Sequence, residues 1–359
     1  MMNWERLLMV SPDEVVANTD LFATTLYTGN ASTRTITNGI NLSERGGLVW
    51  LKARNGTGGT FDHFLQDTVR GTGKAFRFNR VNSSFTETQT VTSFNIDGFN
   101  LGLNSEVNAN TINNVAWSFA AHPKFMSIAE WSGNATSGRT VAHGLGATPA
   151  FFIIKNKTTN SNFTCYHHSI DSGAGSAATP ERYSIAWNDE DSAKIFNSWL
   201  NNGVPDASNI TLGNDALGNG SGSDYIGYFF AHHSSGGTQV NGQNLISCGY
   251  YVGNGDSTSG PIVDCGFNGS PRFIMIKALS LQASDGKAPV IIMDSTRGID
   301  NSGSHTFGGD PYLMISDTDF EEDTDNSTGV TTTSSGFRIN GNNPHINLGL
   351  AQYIYVAIA

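Results

Sequence analysis

The chain has 359 residues, 38% of them apolar and only 14% charged, with a formal net charge of −11. That balance excludes intrinsic disorder, which goes with fewer aromatics and more charge. It also excludes a nucleic-acid or anionic-membrane partner, since either needs a basic footprint that no Lys/Arg cluster here supplies.

In chain order, residues 1–22 stand apart. Their start carries an apolar patch (Leu7, Leu8, Met9, Val10) without the basic flank or cleavage site of a signal peptide. Ser11-Pro12-Asp13-Glu14 reads as a helix N-cap with Pro at the first helical position. The segment is expected to be an arm, either packed on the first domain or docking the chain on a larger assembly. Beyond it, short runs bounded by turn residues predict strands near 24–28, 33–37, 47–53, 61–67, 74–80, 88–94, 98–102 and 113–120. So many short antiparallel strands in about a hundred residues point to a β-sandwich, jelly-roll-like, with almost no helix.

The pattern then recurs twice. An aromatic-x-Gly-Asn tip appears as Tyr27-Thr28-Gly29-Asn30, Trp131-Ser132-Gly133-Asn134 and Tyr251-Val252-Gly253-Asn254. Each is followed by an apolar strand ending in lysine, at Lys52, Lys155 and Lys277, and each pass closes on an aromatic-rich strand at 115–120, 225–231 and 353–359. A period of about a hundred residues is a whole small domain, long enough to bury a core of its own. The expected architecture is therefore all-β: three tandem antiparallel β-sandwich domains with a short N-terminal arm. The boundaries fall at 1–22 for the arm, 23–123, 124–231 and 244–359 for the repeats, and 232–243 for a flexible Gly/Ser-containing linker. The repeated lysines are expected to face solvent and blunt strand ends. Cys165, Cys248 and Cys265 form no disulfide framework and are expected as buried thiols. No stretch reaches the length of a transmembrane helix.

Residues 38–52, Asp67-Thr68-Val69-Arg70-Gly71 and Thr92-Ser93-Phe94-Asn95-Ile96-Asp97-Gly98-Phe99 resemble a domain of unknown function repeated in tail proteins of marine bacteriophages, including those of cyanobacteria. So do Val141-Ala142-His143-Gly144-Leu145-Gly146 in the second repeat, and Asp294-Ser295-Thr296-Arg297-Gly298 and Ser335-Gly336-Phe337-Arg338 in the third. The resemblance covers roughly residues 24–359. It implies a virion protein of a tail fibre or tip, made in the host cytoplasm and carrying no catalytic residues. It further implies neighbouring tail proteins met through the arm, a host glycan or outer-membrane receptor, and a homotrimer. A purely structural role, in capsid decoration or as a tail plug, is the alternative; a polysaccharide-degrading tailspike is a further one. The second repeat departs from the family pattern. Cys165-Tyr166-His167-His168 stands where the others carry Asp-x-x-Arg-Gly, which marks this repeat as the one diverged for binding.

Candidate ligand residues are accordingly Tyr166, His167, Trp187 and Trp199, whose rings suit sugar stacking, although core packing is the first reading of both tryptophans. Asp189, Glu190, Asp191 and Asp206 nearby are the carboxylates that a glycosidase would need. Adjacent histidines (167–168, 232–233) point to opposite faces of a strand, so they make a poor zinc site and are expected at strand ends or on the surface. The acidic run with Asp317, Asp319, Asp323 and Asp325 offers oxygens to Ca²⁺ but lacks EF-hand spacing, and reads first as a solvated loop. No cofactor is expected.

Overall fold

The computed structural model describes residues 18–56, 60–171, 179–190, 194–195, 199–232, 239–240, 243–279, 287–299, 310–322 and 329–359. Most of the predicted arm, most of the predicted linker, and Asp191, Asp323 and Asp325 lie outside them.

Each repeat builds one large and one small antiparallel sheet. In the first unit the large sheet runs Phe22–Thr28, Asn113–Ala120, Gly47–Ala53, Phe64–Asp67, Lys74–Arg77, Phe85–Thr86 in spatial order. The small one runs Arg34–Ile36, Gly98–Leu101, Val91–Asn95. The second unit repeats the order with Met126–Ser132, Asp224–Phe230, Phe151–Asn156, Thr164–His167, Tyr183–Ala186 and Lys194–Ile195, under a two-stranded sheet of Arg139–Ala142 and Asn209–Leu212. In the third the large sheet is Ile246–Val252, Gln352–Ile358, Phe273–Ala278, Val290–Asp294, Leu313–Met314, and the small one Ile262–Asp264, Gly336–Asn340, Gly329–Thr332. The protein is thus all-β, with three tandem sandwich-like domains.

The units share a core in addition to those they enclose. The second and third each enclose a core between their own sheets, the one around Phe152, Trp199 and Phe229, the other around Tyr251, Phe337 and Tyr353. The opposite face of each large sheet is apolar too. Gly47–Ala53, Phe151–Asn156 and Phe273–Ala278 are buried at every residue, as expected of a sheet covered on both sides. These second faces meet in one central core that contains Trp117, Phe119, Phe151, Phe230, Phe273 and Val356. Rings from different units touch there: Phe119–Phe230 at 5.9 Å, Trp117–Phe273 at 5.9 Å and Phe78–Phe163 at 4.6 Å between centroids. The accessible surface is 14195 Å². A single body of 38.3 kDa should expose about 14,000 Å², and three separate bodies of a third that mass about 19,000 Å². The expectation that a repeat buries a core of its own holds for the second and third units, and the three sandwiches close around a common core besides.

Candidate functional site

The aromatic-x-Gly-Asn signature is a structural joint. Tyr27 Oη, Trp131 Nε1 and Tyr251 Oη donate to the carbonyls of Val107, Gly218 and Ile346, at 2.8, 2.7 and 2.7 Å. The glycine permits close approach: a Cβ on Gly29, Gly133 or Gly253 would lie 2.1, 2.1 or 2.3 Å from a backbone oxygen. The next amide, of Asn30, Asn134 or Asn254, donates to the side-chain oxygen of Asn108, Asn219 or Asn347. Those three asparagines are buried. Each spends its amide on two carbonyls: Ser32 and Gly102 in the first unit, Thr136 and Gly213 in the second, Asp256 and Gly341 in the third. Sequence reasoning missed these asparagines, although they recur in register five residues before the start of each closing strand.

The lysines correct another expectation. Lys52, Lys155 and Lys277 are fully buried, and each ammonium ties its own unit to a neighbour. Lys52 donates to Phe61 O at 2.6 Å and to Thr318 O of the third unit at 3.0 Å. Lys155 donates to Ser161 O and to Val81 O of the first. Lys277 donates to Ala288 O at 2.5 Å and to Asp189 O of the second at 2.7 Å. The order, first to third, second to first, third to second, closes a ring: the three units are related by an approximate threefold arrangement within one chain. Burial pulls Lys52 down to about 8 and Lys155 down to about 7.

The Asp-x-x-Arg step supplies the other half of each seam. Asp67 pairs with Arg70 at 2.6 Å and accepts the Tyr228 hydroxyl of the second unit at 2.8 Å. Asp294 pairs with Arg297 at 2.5 Å and accepts the Trp117 indole N–H of the first unit at 3.0 Å. Strand register makes Trp117, Tyr228 and Val356 equivalent, because Phe22 pairs Phe119, Met126 pairs Phe230 and Ile246 pairs Ile358. The second unit's step therefore faces Val356, which has no polar group to offer. Here His167 replaces the aspartate, and its Nε2 lies 3.1 Å from the Tyr355 carbonyl. The departure of the second repeat thus matches a change on the strand it faces.

The four ring candidates are all buried, and the strand alternation separates them. Tyr166 and Trp199 pack on Phe152 in the second unit's own core, at 4.8 and 5.9 Å. His167 and Trp187 lie on the opposite face against Phe151, at 6.1 and 4.9 Å. Both tryptophans thus pack in the core, as their first reading had it, and burial leaves none of the four rings a free face for sugar stacking. Of the expectation that the histidines lie at strand ends or on the surface, the first holds for His167, the last residue of its strand, and the second is corrected, since His167 and His232 are buried. Asp206 caps a turn through the Ser208 and Asn209 amides, and Glu190 pairs with Lys287 at 3.0 Å. In the acidic loop, burial and then the charge of Asp319 push Asp317 up to about 6, while Asp319 itself is exposed. The loop packs on the first unit through Phe320–Phe61 at 5.3 Å and Arg54–Glu321 at 2.6 Å. Among the described residues no group of His, Cys, Asp and Glu is placed to hold a metal ion, and the three cysteines are free and buried. A cavity of about 30 Å³ in the central core is lined from all three units, by Trp50, Phe151, Trp187, Tyr228 and Met275 among others.

No curated protein and no solved structure matches the chain. One family model, that of a domain of unknown function, DUF7483, matches residues 17–359. It spans all three sandwiches as a single unit, in keeping with their shared core, and on that match the chain belongs to the DUF7483 family.

Proposed function

We propose that the chain is a component of a bacteriophage virion tail, a rigid threefold-like block at a fibre or tip that takes part in host attachment. The tail reading rests on the sequence resemblance. The observation that supports a block is the closed ring of seams: Lys52, Lys155 and Lys277 each bridge two units from buried positions. Such a ring supplies from one chain the symmetry that tail fibres by family analogy take from three copies. Host contact, on a glycan or an outer-membrane receptor, then falls to the outer sheets and loops, presented three times on a stiff frame. A purely structural virion role is the second reading. It is favoured by the use of every repeated signature for internal bonding rather than for a surface site.

Cryo-microscopy of particles that carry the protein tests the proposal. A single chain seated on the tail axis, projecting outward, is the expected result; density on the capsid shell overturns the tail assignment. Binding of the purified chain to host cells separates attachment from pure architecture. Native mass measurement should give 38.3 kDa, and three times that mass returns the homotrimer.

A further inference from the structure

Beside the Lys277–Asp189 carbonyl bond and the Glu190–Lys287 ion pair at its edge, the seam between the second and third units carries a row of imidazoles. The rings of His167, His168 and His232 follow one another with centroids 5.4 and 5.0 Å apart. His167 Nδ1 accepts the Ser169 amide at 3.1 Å, so its proton sits on Nε2 and is donated to Tyr355 O. His168 Nε2 donates to Cys248 O at 2.9 Å, and His232 Nδ1 accepts the Cys248 amide at 3.1 Å. The titratable groups packed around them are the thiols of Cys165 and Cys248, with Cys265 and the Tyr355 phenol behind and the Lys277 ammonium acting on Cys165. Burial holds His167 and His168 below the ordinary imidazole range, and the neighbouring imidazoles push His167 the same way; no carboxylate acts on either ring. A proton on His167 Nδ1 or His232 Nδ1 would set two donors face to face, and protons on adjacent rings would put like charges in contact away from water.

The other seams are built differently. That between the first and second units carries the Asp67–Arg70–Tyr228 cluster. That between the third and first carries, among the described residues, the imidazole of His63, whose Nε2 lies 3.1 Å from Met314 O, alongside the ion pairs Asp294–Arg297, Arg297–Glu321 and Arg54–Glu321.

We propose that the seam between the second and third units opens in acid: proton uptake on His167 and His168 parts the two sheets there, while the other seams and the strands of each unit hold.

The thiols report on this in the intact chain. Cys165 and Cys248 lie in the central core at the seam, whereas Cys265 lies inside the third unit's own sandwich. Labelling by a dipyridyl disulfide, which reacts with thiols down to acid pH, is followed from about pH 7.5 to about pH 5 and normalised to an exposed cysteine peptide. Below about pH 6.5 each histidine can raise the opening constant about tenfold per pH unit, so Cys165 and Cys248 should gain up to about a hundredfold per unit. Cys265 stays protected and the far-ultraviolet circular dichroism is unchanged. Flat labelling across the range overturns the proposal, and so does Cys265 reacting in step with the other two, which signals global unfolding. The paired variant His167→Gln with His168→Gln should lose the acid dependence, and retention of it is equally fatal. Should that variant not fold, the comparison of three thiols in the unaltered chain decides alone.

Discussion

Tyr228→Phe tests the shared core through a single oxygen. The side chain is 2% exposed; its hydroxyl donates to Asp67 Oδ2 at 2.8 Å and lies 3.4 Å from Arg70 Nη2. A hydrogen bond to a charged acceptor contributes about 1.5–3 kcal/mol. The ring stays, so the void is no larger than a hydroxyl. Asp67 also keeps Arg70 at 2.6 Å, so no buried charge is stranded. The expected loss is about 2 kcal/mol. Asp67→Ala, by contrast, leaves the Arg70 guanidinium buried without its carboxylate and should cost about 3–5 kcal/mol. Both are measured by urea unfolding of the full chain, read by tryptophan fluorescence and by circular dichroism. With one central core the two probes should trace one transition, and Tyr228→Phe should move its midpoint with the slope unchanged. Three separable transitions would refute the shared-core argument. So would a Tyr228→Phe effect confined to part of the signal, or a shift below about 0.5 kcal/mol.

Gly253→Ala places a methyl 2.3 Å from Leu348 O and should destabilise by about 3 kcal/mol, with Gly29 and Gly133 behaving alike; a change near zero in urea titration contradicts the close approach. Leu350 is 90% exposed at φ 68°, where the equivalent turn of the second unit has Gly222 at φ 77°. Relief of a left-handed non-glycine residue, about 1–2 kcal/mol, less the added freedom of glycine in the unfolded chain, predicts a gain of about 0.5–1 kcal/mol for Leu350→Gly in thermal melts. Lys155, held down to about 7 by burial, binds its proton more weakly folded than unfolded. Stability should therefore rise with pH from about 7 to about 8, before the thiols of the unfolded chain ionise near about 8.5, by up to about 1.4 kcal/mol per pH unit. Lys155→Met should flatten that slope, and a midpoint that falls over the window in the unaltered chain refutes it.

The class of fold and the strands were legible because turn chemistry and short apolar runs are local signals. All eight strands read in the first unit occur, with one two-residue addition, Phe85–Thr86. The closure of the units on one another was present in the same letters but was not read. The run Leu48-Val49-Trp50-Leu51 does not alternate, and a strand without a polar face needs cover on both sides. The lysines misled because a charge at the end of an apolar run ordinarily marks solvent. Only tertiary geometry supplies the carbonyls that replace it, one of them, Thr318, more than two hundred residues from its lysine, Lys52. The ring candidates failed for a related reason. Aromatic residues suited to stacking on a sugar are equally suited to a core, and adjacent positions such as Tyr166 and His167 necessarily part to opposite faces.

The seams also bear on why three repeats sit in one chain. Three identical copies around an axis would have to use one seam three times. Here the seams are Asp–Arg with tyrosine, Asp–Arg with tryptophan, and histidine with a backbone carbonyl. The third depends on paired changes in different repeats, His167 in the second and Val356 in the third. In a homotrimer either change would appear at every seam. An Asp-x-x-Arg step would then face valine three times over, or a histidine would face tyrosine. Fusion removes that constraint, and it replaces the association of separate subunits by closure within a chain, at an effective concentration set by the connecting segments. Each seam is then free to take its own strength and its own response to pH, which is the physical basis for expecting one of them to yield before the others.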